Sequence, residues 1–116
     1  MCLFWEGRSE GTHGMQLIYD TIINRSTDSR SIWPSTPTGV VLQPYQFSGF
    51  VENGLQTPKL VKVGDWLTWT EAKRIAETGK SVDKRVNHFH HNSVKPKWAV
   101  GKVPVKVHRN HTFYSF

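Results

Sequence analysis

The sequence predicts a mainly α protein of α+β class that carries a short β-hairpin, and three stretches predict it. Residues 15–25 place Met15, Ile18, Tyr19, Ile22 and Ile23 at the i, i+3, i+4, i+7 and i+8 spacing of one apolar helix stripe. Thr68-Trp69-Thr70-Glu71 fits a capping box ahead of the stripe Ala72, Ile75 and Ala76. Near the end Val103, Val105 and Val107 alternate with Pro104, Lys106 and His108, the period of a half-buried strand.

In chain order, Gly14 is expected to open the first helix, and the polar run Ser26 to Ser29 to close it. Residues 31–60 hold four prolines, yet Trp33, Val40, Val41, Leu42, Tyr45, Phe47 and Phe50 need burial, which predicts ordered loop. Gly79 stops the second helix. Arg109-Asn110 turns the valine strand into a partner over residues 111–116, and Pro104 places that first strand at an edge.

Composition bounds the rest. A chain of 116 residues, 37% hydrophobic and with five Trp, is sized for one domain over residues 1–116 and is too apolar to be disordered. It lacks the roughly 18 apolar residues of a membrane span, so no stable membrane insertion is expected. Its single cysteine excludes a disulfide framework. Fifteen Lys and Arg against nine Asp and Glu give a net charge of +6. The excess lies beyond residue 80, where Asp83 is the only acid. Such a surface favours nucleic acid, anionic lipid or anionic wall polymer.

Three groups of residues have the chemistry of a site. In Trp5-Glu6-Gly7-Arg8-Ser9-Glu10-Gly11 a helix would put Glu6 and Glu10 on one face. Mutual repulsion and an aromatic wall of Phe4 or Trp5 would then raise a carboxyl pKa toward that of a general acid, with Arg8 holding the second carboxylate ionised. A solvated helix end would carry the same pattern. The histidines are the second group: on a strand His88 and His90 point the same way, a workable metal-ligand spacing, but carboxylates for a hard metal are missing nearby. Third, Gln46-Phe47-Ser48, Trp98, Phe113 and Tyr114 supply flat apolar faces and hydrogen-bonding groups of the kind a saccharide takes, although a small core uses the same residues.

These pieces, in order, resemble the bacterial cell-wall hydrolase family typified by the spore cortex-lytic enzyme SleB. Glu6 to Glu10 with Gly14 resembles the family's E-A-R-G-E segment and following glycine, and Ile22-Ile23-Asn24-Arg25 its V-I-x-N-R helix end. Trp33-Pro34, Gly39-Val40-Val41 and Gln46-Phe47-Ser48 resemble its F-P, G-V-I and Q-F-S/T segments. His88-Phe89-His90, Val94 to Trp98 and His111 to Tyr114 resemble its H-F-H, V-x-P-x-W and H-x-F-Y stretches. Gly7 and Ser9 replace the family's Ala and Gly, both small, and only five residues precede Glu6.

The resemblance implies a lysozyme-like, lytic-transglycosylase-like fold that cuts peptidoglycan glycan strands without metal or other cofactor. It makes Glu6 the catalytic acid/base at the N-acetylmuramic acid to N-acetylglucosamine β-1,4 bond. It assigns sugar binding to Gln46, Phe47, Ser48, His90, Trp98, His111 and Tyr114, with Arg8, Glu10 and Asn24 in support. It also implies a monomer, with no nucleic-acid partner. A basic, leaderless hydrolase fits a bacteriophage lysis enzyme held in the host cytoplasm until release, or a virion-associated one. The alternatives are a hydrolytic muramidase, a small basic His-dependent nuclease or DNA-binding domain, and a peptidoglycan-binding module without activity.

Overall fold

A computed structural model describes residues 2–7, 10–43 and 63–116. Among the described residues four helices come first, α1 (Cys2–Gly7), α2 (Gly11–Ser26), α3 (Pro37–Val41) and α4 (Val63–Thr78). Three short strands follow, β1 (His88–His91), β2 (Lys106–His108) and β3 (His111–Tyr114), with a 3-10 turn at Lys97–Ala99 between β1 and β2. The strands form one antiparallel sheet in the order β1-β3-β2. The mostly helical architecture with a terminal hairpin is as expected, and β2 is an edge strand as Pro104 implied.

The amphipathic helix α2 is the hub against which α1, α3, α4 and β1 pack. Its Met15, Ile18 and Ile22 are buried with Leu3, Val40, Ala72, Ile75, Val86 and Phe113 in one core. Burying a large aliphatic side chain of this kind is worth about 1.5–3 kcal/mol, so the stripe on α2 is what joins helices to sheet.

Polar struts from α2 then fix the segment that leads into the sheet. Asp20 accepts the backbone N–H groups of Val82 and Asp83, each at 2.9 Å. The Asn24 amide donates to the carbonyls of Asp83 and Val86 at 2.8 and 2.7 Å. Buried Arg25 donates from Nε to the Asn87 carbonyl at 2.7 Å. These bonds supply partners for backbone groups that no helix or strand would otherwise satisfy.

Five expectations need correction. Helix α2 begins before Gly14, at Gly11, because Gly14 is required for close packing rather than for a start: a Cβ there would lie 2.4 Å from Glu10 Cβ and 3.0 Å from the His108 ring. Helix α4 begins before the supposed capping box. Inside the helix the Thr70 hydroxyl bonds the Trp66 carbonyl, and Glu71 instead pairs with Arg74 and accepts from Thr12. The proline-rich loop contains α3, capped by Thr36, whose hydroxyl accepts the Gly39 N–H at 3.1 Å. Val103 and Val107 are exposed and only Val105 packs on the core. Finally, Glu6 and Glu10 do not share a helix face: α1 ends at Gly7, the Glu10 N–H closes a turn onto the Gly7 carbonyl at 2.9 Å, and Glu10 stands at the N-cap position of α2 without a side-chain cap bond. Gly79 does stop α4, at φ +65° with open space around it.

Candidate active site

Alternation along the strands sorts the histidines and aromatics onto two faces. Cross-strand partners in an antiparallel pair share a face. The register His88↔Tyr114 and His90↔Thr112 therefore puts His88, His90, Thr112 and Tyr114 together, and puts Phe89, His91, His111 and Phe113 on the opposite side. Phe113 is fully buried, which makes the second face the inner one, turned toward the helices.

On the inner side, the start of α2 meets the β2–β3 turn. Glu10 is 1% exposed; its Oε1 lies 2.7 Å from His111 Nδ1, and its Oε2 accepts the Asn110 N–H at 3.3 Å. His108 Nε2 donates to the Glu10 carbonyl at 3.1 Å. The guanidinium of Arg109 lies over Gly11, where an added Cβ would sit 3.0 Å from Nη1. The Glu10–His111 contact is an ion-pair distance, yet neither Oε1 nor Nδ1 has an aligned hydrogen bond. Burial holds His111 below the usual histidine range, and the Glu10 carboxylate opposes that only in part. Such a pair resists adding a proton and locks the hairpin to the helix.

The outer face is an aromatic platform. Trp98, brought in by the 3-10 turn, contacts His88, His90, Tyr114 and Phe116 with ring centroids 5.2 to 5.7 Å apart. His88 also meets Trp33, at 5.8 Å, and Phe116, at 4.4 Å. Burial, and then the charges of Arg25 and Arg30, push the His88 pKa down to about 4, so its ring is neutral at neutral pH. His90 faces the His91 carbonyl through Nδ1 at 2.9 Å and the Tyr114 hydroxyl through Nε2 at 3.0 Å. A carbonyl only accepts, so Nδ1 carries the proton, and Nε2 of the neutral ring accepts from Tyr114. Tyr114 is itself nearly buried and holds His90, whereas Trp98 keeps the exposed indole. Both ring nitrogens of His90 are thus spent within the protein, and the exposed indole of Trp98 is the group suited to stacking on a sugar.

Glu6 occupies the last turn of α1 and is half-buried. Next to it Gly7 is clasped by α2: a Cβ there would lie 2.7 Å from Met15 Cγ. Burial, and then the Glu6 charge, push the Cys2 thiol up to about 12, so Cys2 is no nucleophile. An apolar cavity of about 630 Å³ lies between the helices, lined by Cys2, Tyr19, Ile22, Val41, Trp69 and Ala72 among others. None of the sequence-predicted site residues is among its described lining.

The structure thus brings His90, Trp98 and Tyr114 together on the outer face and puts His111 and Glu10 together on the inner one. Asn24 is spent on backbone carbonyls. Arg8, Gln46, Phe47 and Ser48, and the side chains of Phe4 and Trp5, lie outside the described residues. Sequence reading passed over Asn110, Trp33 and Phe116 as members of these groups. For Phe116 the signal was its place two residues beyond Tyr114 on an alternating strand. Among the described residues no group of three His, Cys, Asp or Glu is placed to hold a metal ion.

Residues 9–114 match the Cell Wall Hydrolase family model, and the chain belongs to that family. Glu10, Asn24, residues 46–48, His90, Trp98, His111 and Tyr114 fall inside the match, and Glu6 falls just before it. No curated protein matches the sequence. Among solved structures, the catalytic domain of the Bacillus cereus SleB protein is 20% identical with a TM-score of 0.74, covering 98% of this chain and 84% of that one. The catalytic domain of the germination-specific lytic transglycosylase SleB from Bacillus anthracis is 19% identical with a TM-score of 0.70, covering 98% and 88%. At such identities the likeness defines the fold, which is the lysozyme-like one of SleB catalytic domains.

Proposed function

We propose that this cell-wall hydrolase cleaves the glycan strands of peptidoglycan as a lytic transglycosylase, with Glu6 as its one acid/base. The carboxyl of Glu6 protonates the glycosidic oxygen between muramic acid and glucosamine, and the bond from C1 to that oxygen breaks. The resulting carboxylate then takes the proton of the muramoyl 6-hydroxyl, whose oxygen bonds C1 to give a 1,6-anhydro sugar. The proton lent is the proton returned, so one carboxylic acid suffices where an ordinary glycosidase needs two.

The observation that carries the choice of Glu6 is exposure. Of the two glutamates in the segment, Glu10 is sealed in the core against His111 and Asn110, whereas Glu6 is only half-buried and so within reach of a substrate. It stands in the last turn of α1. The bacteriophage-lysis setting belongs to the same proposal and is supported by the basic charge alone.

The test is Glu6→Gln on purified sacculi. Wall clearing should fall by at least about a hundredfold, the usual worth of a positioned general acid, with the circular dichroism spectrum unchanged. Retained clearing removes Glu6 from the mechanism. Mass spectrometry of the wild-type products separates the two chemistries, because an anhydro product is one water lighter than the product of a hydrolytic muramidase.

A further inference from the structure

Residues 92–105, which run from β1 to β2, hold apolar side chains out in solvent. Val94 is exposed, Val100 and Val103 are 76% and 88% exposed, and Trp98 keeps 39% of its surface. Lys95, Lys97 and Lys102 stand among them, all exposed. The segment turns tightly: the Val100 N–H bonds the Lys97 carbonyl, the Lys102 N–H bonds the Ala99 carbonyl, and Gly101 takes φ +76°. Trp98, Val100 and Lys102 therefore crowd into one turn, with Lys102 Nζ 5.0 Å from the centre of the Phe116 ring.

No carboxylate lies near these lysines in the sequence. From residue 84 to residue 116 the sequence has seven Lys and Arg and no Asp or Glu. Arg30 pairs with Asp28, Arg74 with Glu71 and Arg85 with Asp83, and none of these pairs uses Lys95, Lys97 or Lys102. Exposed valines interleaved with exposed lysines make this segment apolar and cationic at once.

Three occupants differ in how they meet this pattern. A nucleic acid or other polyanion matches the lysines and leaves the valines in water. A second copy of the chain covers the valines but brings lysines against lysines. A bilayer surface with anionic headgroups takes both, because the ammonium groups reach phosphate while the valine side chains enter the boundary of headgroup and acyl chain. We propose that the 92–105 segment docks the protein, peripherally, on an anionic phospholipid surface. Among the described residues no helix is long and apolar enough to cross a membrane, so the contact is a shallow one.

The experiment is co-sedimentation of the full chain with vesicles of phosphatidylcholine alone and of phosphatidylcholine mixed with phosphatidylglycerol. Binding is expected only with phosphatidylglycerol. Lys95→Glu with Lys97→Glu should weaken it at least about tenfold, and Val100→Ser with Val103→Ser severalfold. All four side chains are exposed, so both double variants should keep the wild-type thermal midpoint and cut soluble glycan fragments at the wild-type rate. That readout separates failure of docking from failure of the glycan-cleavage reading. The proposal is overturned if anionic vesicles are not bound. It is overturned equally if the valine variant binds them as the wild type does, which makes the surface a general polyanion site, or if gel filtration shows a dimer that the valine variant abolishes.

Discussion

The two ends of α2 hold the sheet by opposite chemistry. At the C-terminal end the helix contributes donors, Asn24 and Arg25, to backbone carbonyls of residues 83, 86 and 87, with every distance between 2.7 and 2.8 Å. At the N-terminal end it contributes an acceptor, the Glu10 carboxylate, to the Asn110 N–H and the His111 ring. Each sign suits the helix dipole at its own end. The difference lies in satisfaction: the C-terminal strut consists of aligned hydrogen bonds, whereas the N-terminal one leaves Glu10 Oε1 and His111 Nδ1 close but unaligned. One end is a fixed joint, and the other is a buried titratable contact that depends on close packing around Gly14.

The largest effect that could break this contrast is at the fixed joint. Arg25→Ala removes a charge-assisted bond and leaves the Asn87 carbonyl buried without it, so stability measured by urea titration should fall by about 3 kcal/mol. A loss under about 1 kcal/mol would mean that the C-terminal strut is dispensable. At the other end, Gly14→Ala drives a methyl to 2.4 Å from Glu10 Cβ and 3.0 Å from His108. It should cost about 2 kcal/mol, because that backbone has no room to yield without opening the Glu10–His111 contact. Ordinary helix propensity predicts the reverse sign for a glycine-to-alanine change in a helix, so the sign alone decides.

A third effect is one of pH. An unfolded histidine takes up its proton near pH 6.5, whereas folded His88 does so only near pH 4. Within that window the unfolded chain binds the extra proton, so stability should fall as pH falls from 6.5 toward 4 and level off below. His111, also held low, adds to the same slope. His88→Gln should flatten the dependence of the urea midpoint across the window, and an unchanged slope would assign it to His111 and the N-terminal contact.

How much of this could be read from the sequence differs by region for physical reasons. The stripe on α2 was legible because burial on one side of a helix leaves a periodic record, and the hairpin because Arg109-Asn110 breaks an alternating run. The partnership of Glu10 with His111 was not, since a contact between residues a hundred positions apart leaves no local spacing, and the nearby Glu6 offered a local partner instead. Gly14 misled for a related reason: glycine signals either a helix boundary or a close approach, and only the three-dimensional neighbours, Glu10 and His108, distinguish them. The outer platform was half legible. His88 and His90 were placed on one face by strand alternation, while the arrival of Trp98 depends on a 3-10 turn with no periodicity of its own. Of the catalytic reading, the family resemblance assigned Glu6 with Glu10 in support, and what the sequence did not show is that Glu10 is sealed in the core.

The order of the strands carries a last consequence. Strand β3 lies between β1 and β2, so both outer strands emerge from the ribosome before the partner they share. Until residues 111–114 have cleared the exit tunnel, neither the sheet nor the Glu10 contact can form, and the nascent chain must keep its helices waiting. Folding of the sheet is thereby tied to the synthesis of β3, and a message truncated before β3 yields a product that lacks the sheet altogether.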